Sequence, residues 1–316
     1  MSSVNCYKHI EAAVSHTPVL HRGFARALDT LEMIYQSNGT LNATLCGESG
    51  TGKSTLCRIF RQNHPISNGP EGDEIPVVCA TLPSRPTAKS VARNVIGAMG
   101  AVVLGRPDQD QLTKQLRTLL QGCKTKVIVL DEFQHFIDRR GQDAVAEMGD
   151  WLKVLLEDLP VSLVLVGLPR TGLIRQSNEQ FRRRFNLDHV IKPFSVETAT
   201  DQQEFFRYLR KLEAMLPFEQ TQRISTENLL LPLWFASNGL IDYLNKVVGL
   251  AGDIALENGA DFISREHLEL SFQRYVWPGA KNEDNPFHPD FRMRALVGVY
   301  EPFAPVNVAH VTRRAA

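Results

Sequence analysis

The chain has 316 residues, enough for one large domain or two smaller ones. Lys and Arg total 35 and Asp and Glu total 35, so any nucleic-acid site has to be a local basic patch and not a general surplus. It is 43% hydrophobic, yet no run approaches the ~20 apolar residues that cross a bilayer, and the N-terminus lacks the apolar core of a signal peptide. No membrane partner and a cytoplasmic location are expected.

The cysteines are Cys6, Cys46, Cys57, Cys79 and Cys123, an odd number with no C-x-x-C pair. Free thiols in apolar runs are expected, not a metal site or a disulfide framework.

Residues 1–40 read as an N-terminal arm and one helix. Phe24, Leu28, Leu31 and Ile34 fall at helical spacing, and "SNGT" breaks the pattern. "LNATLC" is a short apolar strand, followed by a glycine-dense loop and a helix, "KSTLCRIFRQN". A polar loop, "HPISNGPEGDE", leads to a second strand over Ile75–Leu82. Helices are predicted over "TAKSVARNVIGAMG" and "DQDQLTKQLRTLLQG", the second opening on acidic residues and closing on Gly122. The third strand, Lys126–Leu130, is nearly all apolar, as a strand covered on both faces is. A helix over "DAVAEMGDWLKVLLEDL", a fourth strand over Val161–Pro169, a helix end at "SNEQFRRRF" and a fifth strand at "DHVIKPF" complete the series.

Alternating strands and helices predict an α/β domain with a parallel five-stranded sheet between helices, spanning 41–197. A small all-helical domain over 198–276 follows, with helices at "TDQQEFFRYLRKLEAML", "TENLLLPLWFASNGLIDYLNKVVGLAGDIALENG" and "SREHLELSFQRYV". Residues 277–316, rich in Pro and Asn, read as an extended tail that either docks on a partner or frays.

The loop fits G-x-x-x-x-G-K-[ST] at every fixed position: Gly47, Glu48, Ser49, Gly50, Thr51, Gly52, Lys53 and Ser54, with Thr55 next. A strand before it and a helix after it are the context that gives this Walker A motif its meaning. Glycines let the backbone N–H groups face phosphates, and the helix N-terminus favours their charge. Lys53 is assigned to the β- and γ-phosphates of ATP and Ser54 to Mg²⁺. "KVIVLDEF" supplies the Walker B half. Asp131, at the strand's end, is the second Mg²⁺ residue, and Glu132 is the candidate general base for an attacking water. ATP hydrolysis is the leading reaction. A small-molecule kinase has less use for Glu132.

Arg182, Arg183 and Arg184 precede the fifth strand. One nucleotide does not need three arginines from its own subunit, but an arginine can complete a neighbour's site. Arg183 is the first candidate, with Arg182 or Arg184 second, and a homo-oligomer, ring or filament, is implied. The alternative is a solvated basic helix end. At the fourth strand's end the first polar candidate for a γ-phosphate sensor is Thr171. In the helical domain, "ASNGLIDYLNKVV" offers Asp242 and Lys246 but no arginine.

This arrangement resembles the AAA+ ATPases and, within them, the TniB/TnsC transposition regulators, from about Thr17 to Phe287. "TPVLHRGFARALDTLE", "GESGTGKSTL", "VVCATLPSRPTAKSVARNVIGAMG", "VIVLDEFQHF", "LVGLPRTG" with "NEQFRRRF", "SNGLIDYLNKVV" and "NPF" carry the resemblance. The departures are at the sensor positions and leave the hydrolysis rate open. The resemblance implies an ATP-dependent adaptor that assembles on double-stranded DNA and links a target-selection protein (TniQ/TnsD-like) to the transposase. Hydrolysis would reset the assembly.

A ring around DNA needs basic groups aimed at phosphates. "PSRPTAKSVARN" offers Arg85, Lys89 and Arg93, the last two on one helix face. Thr87 is either a phosphate donor or the helix cap. The alternative is a solvated face, and Arg139 and Arg140 are a second candidate pair. His135, Trp151 and Trp234 read as packing or network residues. Competing functions are a replication-initiator or loader ATPase and a nucleotide-gated switch that does not bind DNA.

Overall fold

The computed structural model describes residues 10, 14, 21–70, 72–174, 179–218 and 223–305, with the backbone alone for 138–145, 173 and 179–181. Two compact units emerge: Arg22–Lys192, and Pro193 onward together with the residues before Arg22.

In the first unit, helix α1 (Arg22–Gln36) buries Phe24, Ala27, Leu31 and Ile34, one stripe at helical spacing. Strand β1 (Ala43–Gly47) is buried at every position. Helix α2 (Lys53–Asn63) starts straight from the glycine loop, with Gly52 as its N-cap at φ 90°. The loop predicted before the second strand contains a hairpin of β2 (Ser67–Gly69) and β3 (Gly72–Glu74). Two short polar strands carry no alternating apolar signal, so periodicity could not reveal them. Next come β4 (Val77–Thr81), α3 (Ala88–Ala98) and α4 (Gln109–Gly122). Both helices open on a capping box, Thr87 with Ser90 and Asp108 with Gln111. Strand β5 (Val127–Asp131) leads into α5 (Gln134–Leu156), which begins nine residues before the predicted Asp143. Strand β6 (Ser162–Gly167), a 3₁₀ turn (Pro169–Leu173), α6 (Glu179–Arg184) and β7 (Leu187–Ile191) end the unit.

The five long strands are parallel, in the order β4-β5-β6-β1-β7. Alternation along each strand sends side chains to two cores. Val127, Val129, Val164, Val166 and Leu45 pack with α1 and α2. Ile128, Leu130, Leu163 and Leu165 pack with α3, α4 and α5. Each fully buried aliphatic side chain contributes about 1.5–3 kcal/mol. Trp151 lies in the second core, and its Nε1 donates to Thr113 Oγ1 at 3.0 Å.

The second unit is helical: α7 (Ala199–Glu213), α8 (Glu227–Ser237), α9 (Ile241–Glu257) and α10 (Arg265–Ser271). The helical run predicted over Thr226–Gly259 is two helices. Asn238 and Gly239 turn the chain at φ 49° and 71°, a left-handed pair that suits a helix stop. Gly239 is also constrained by packing, since a Cβ there would lie 2.1 Å from the Phe194 carbonyl oxygen. The unit's core holds Phe205, Tyr208, Leu244 and Val248, with Trp234 packed against it.

Through residue 305 the tail is folded onto that core and not extended. Phe287 and Leu296 are fully buried, and Phe303 nearly so. Arg294 fastens this segment by pairing with Asp284 and Glu301 at 2.8 and 2.7 Å. Isolated aromatics between prolines show no period, so their burial is a tertiary effect. Among the described residues, no helix is long and apolar enough to cross a membrane.

His21 belongs to the helical unit and packs against Phe194 and Tyr208. Burial, and then the Lys211 ammonium, push it down from 6.5 to about 4. A depressed pKa contributes stability that is present above the unfolded value and lost as pH falls from 6.5 towards 4. The loss amounts to up to about 3 kcal/mol. His21→Phe removes the titration, so its urea midpoint should rise relative to wild type as pH drops from neutral to that range. Parallel midpoints at every pH would contradict this.

Candidate nucleotide site

The site lies at the C-terminal edge of the sheet, where β1, β5 and β6 deliver their last residues. Gly47 closes β1, and a Cβ there would stand 2.7 Å from Ile191 O and 2.8 Å from Thr51 Oγ1. Only glycine fits so tight a turn. Gly50 and Gly52 take φ 81° and 90°. Thr51 is buried, and its hydroxyl donates to Glu48 O at 2.8 Å, which cross-braces the loop. Glu48 and Ser49 are exposed and Thr55 is half-buried.

Lys53 is 8% exposed, unusual for a lysine. Its Nζ donates to Gly47 O at 2.8 Å and to Glu48 O at 2.7 Å, spanning the loop from inside. Burial lowers its pKa, and Asp131 and Glu132 oppose that shift. Ser54 Oγ donates to Asp131 Oδ2 at 2.9 Å. The two predicted Mg²⁺ residues, 77 positions apart in sequence, are therefore in contact.

Glu132 follows at φ 62°, in the left-handed region. Its N–H donates to Asp131 Oδ1 at 2.8 Å, which helps hold that conformation. Its Oε2 accepts from Gln134 Nε2 at 2.6 Å, and His135 Nε2 lies 3.5 Å from the same oxygen. Gln134 and Phe24 were not singled out from the sequence. Phe24 Cε2 lies 3.9 Å from a Cβ position on Gly52, so α1 borders the loop. Phe24 reads as one of a helical stripe and Gln134 lies ahead of the predicted helix, so only tertiary placement distinguishes them. Thr171 sits in the turn after β6, fully buried, and its hydroxyl has no hydrogen-bond partner among the described residues.

Cys46 on β1 and Cys57 on α2 are buried beside this site, Cys79 and Cys123 are half-buried, and all four are free thiols. Burial pushes the Cys46 and Cys79 thiols up to about 11.

The structure does not bring Arg182–Arg184 to this edge. Arg184 ends α6, three residues before β7, and Leu187 pairs with Ala43 at the start of β1. Four strand steps, about 13 Å, separate that level from Gly47. Arg182 and Arg183 are exposed and Arg184 is half-buried. Arg183 and Arg184 line a groove at this N-terminal edge with Gly39, Asn42 and Asn186.

Arg85, Lys89 and Arg93 are all exposed. Thr81 pairs with Asp131, so the segment after β4 leaves from the same edge as the phosphate loop. Thr87 acts as the helix cap, accepting from Ser90 N at 3.1 Å. The side chains of Arg139 and Arg140 lie outside the described residues. Lys246 pairs with Asp242 at 2.9 Å in the helical unit.

A family model described as bacterial TniB protein matches residues 10–193, more than half of the chain. The chain belongs to the TniB family. Among curated proteins no sequence matches it. Solved structures similar to this TniB-family chain include the Aeropyrum pernix Orc1 protein in complex with DNA. That likeness has 18% identity and a TM-score of 0.60, covering 83% of this chain and 67% of that one. Cdc6p from Pyrobaculum aerophilum is similar at 16% identity and a TM-score of 0.62, covering 84% and 70%. The Aeropyrum pernix Orc2 protein matches at 14% identity and 0.62, covering 86% and 73%. These likenesses establish the fold expected from the sequence, a AAA+ ATPase fold with a mostly helical C-terminal region.

Proposed function

We propose that this TniB-family protein is an ATP-hydrolysing adaptor that assembles on double-stranded DNA and links a target-selection protein to a transposase. The observation that carries this reading is the separation of charges. Lys53, Ser54, Asp131 and Glu132 converge at one edge of the sheet, while Arg182–Arg184 sit at the other. A complete site then needs two copies of the chain, arranged head to tail.

The residues suit the groups they would hold. Ser54 Oγ and Asp131 Oδ2, 2.9 Å apart, are the hard oxygen donors that Mg²⁺ takes. Lys53 is already desolvated and would exchange its two loop carbonyls for phosphate oxygens. Bound there, Mg²⁺ supplies positive charge to the phosphate oxygens. Glu132 would take a proton from the attacking water. Arg183, from the neighbouring copy, would stabilise charge on the transferred phosphate, with Arg182 or Arg184 as the substitute. Arg85, Lys89 and Arg93 would meet DNA phosphates, and a TniQ/TnsD-like selector and a transposase would be the protein partners, a reading that membership of the TniB family supports.

A subunit-mixing experiment tests the shared site. Arg183→Ala and Glu132→Gln should each be nearly inactive alone. Mixed one to one, they should recover about a quarter of the wild-type sites, because an Arg183→Ala copy supplies Glu132 and a Glu132→Gln neighbour supplies Arg183. No recovery on mixing, with both variants folded, would overturn the reading for Arg183.

A further inference from the structure

Gln134 is buried, 3% exposed, and both ends of its amide are used. Nε2 donates to Glu132 Oε2 at 2.6 Å, and Oε1 accepts from Leu168 N at 3.1 Å. One side chain thus ties the candidate base to the first residue past β6. Gly167 makes room for it and for Thr171, since a Cβ there would stand 2.3 Å from Gln134 Oε1 and 2.4 Å from Thr171 Oγ1. The backbone of Glu132 is held from the other side through Asp131 Oδ1. His135 also faces Oε2. Among the described residues the polar neighbours converge on Oε2 and leave Oε1 to accept a proton from elsewhere.

We propose that Gln134 is a positioning residue for ATP hydrolysis: it orients Glu132 and couples that orientation to the end of β6. The inference rests on the reading of Glu132 as the general base. A glutamate acts as a base only when aimed at the water, and misplacement of about 1 Å costs up to a hundredfold. The anchor at Leu168 makes the aim depend on where the 3₁₀ turn over Pro169–Leu173 lies. A shift of that turn on nucleotide binding would be transmitted to Glu132 through one amide.

Gln134→Met keeps volume and removes both hydrogen bonds. Gly167→Ala crowds the amide oxygen and the Thr171 hydroxyl together, so it serves as a supporting variant. Steady-state ATP hydrolysis of the full chain with duplex DNA should show Gln134→Met lowering kcat by about tenfold with KM within about twofold. Gly167→Ala should do the same. Gln134→Met combined with Glu132→Gln should be no slower than Glu132→Gln alone, because Gln134 acts through Glu132. Folding of each variant is checked by thermal melting, and if Gln134→Met does not fold, Gln134→Leu decides. An active wild type with an unchanged kcat in the folded variant overturns this inference alone. A further tenfold loss in the double variant also overturns it, by placing the effect elsewhere. A wild type that binds ATP without hydrolysing it removes the underlying reading and this inference together.

Discussion

Lys53→Ala is expected to weaken ATP binding by at least about a hundredfold and to abolish ATP-dependent assembly. Charge-assisted hydrogen bonds contribute about 1.5–3 kcal/mol each, and Lys53 is placed to make at least two with phosphate oxygens. The variant also leaves the carbonyls of Gly47 and Glu48 without their donor, so the loop loses its internal brace. Titration calorimetry with ATP and Mg²⁺ reads the affinity, and a thermal melt confirms the fold. Normal affinity in a folded variant would show that this loop does not hold the phosphates.

Glu132→Gln is expected to leave ATP affinity within about threefold of wild type and to cut turnover by about 10²–10⁴-fold, the usual contribution of a general base. The substitution keeps length and volume, so the left-handed backbone and its bond to Asp131 Oδ1 should persist. An assembly that forms on ATP should therefore form and outlive the wild-type one, because its reset is slow. Unchanged turnover would remove Glu132 as the base. Faster disassembly would separate hydrolysis from reset.

Much of this was legible in residues whose spacing has a direct geometric meaning. The glycine loop between an apolar strand and a helix, and the apolar strand ending on Asp131–Glu132, each occupy one strand end, and the fold brings these candidate residues together. Thr87 and Asp108 each stand three residues before a side chain that completes a capping box, a local signal. The contact of Ser54 with Asp131 was implied by the paired motifs and is met in the fold. What stayed illegible depends on distant segments meeting. Gln134 is ordinary at the start of a helix until β6 brings Leu168 N and Gly167 to its amide. Asn285 shows no period, yet it is fully buried with its Nδ2 on Glu269 O. The start of α5 was placed late because "FQHFIDRRGQ" mixes charge with apolar residues and has no capping side chain at Phe133.

In the proposed function, nucleotide bound between copies of this chain holds an assembly on DNA. Electron microscopy of the protein with duplex DNA, in ATP, a non-hydrolysable analogue and ADP, tests it most directly. Rings or filaments on DNA with ATP and the analogue, and their loss in ADP, are the predicted result. Monomers in all three nucleotide states would contradict it.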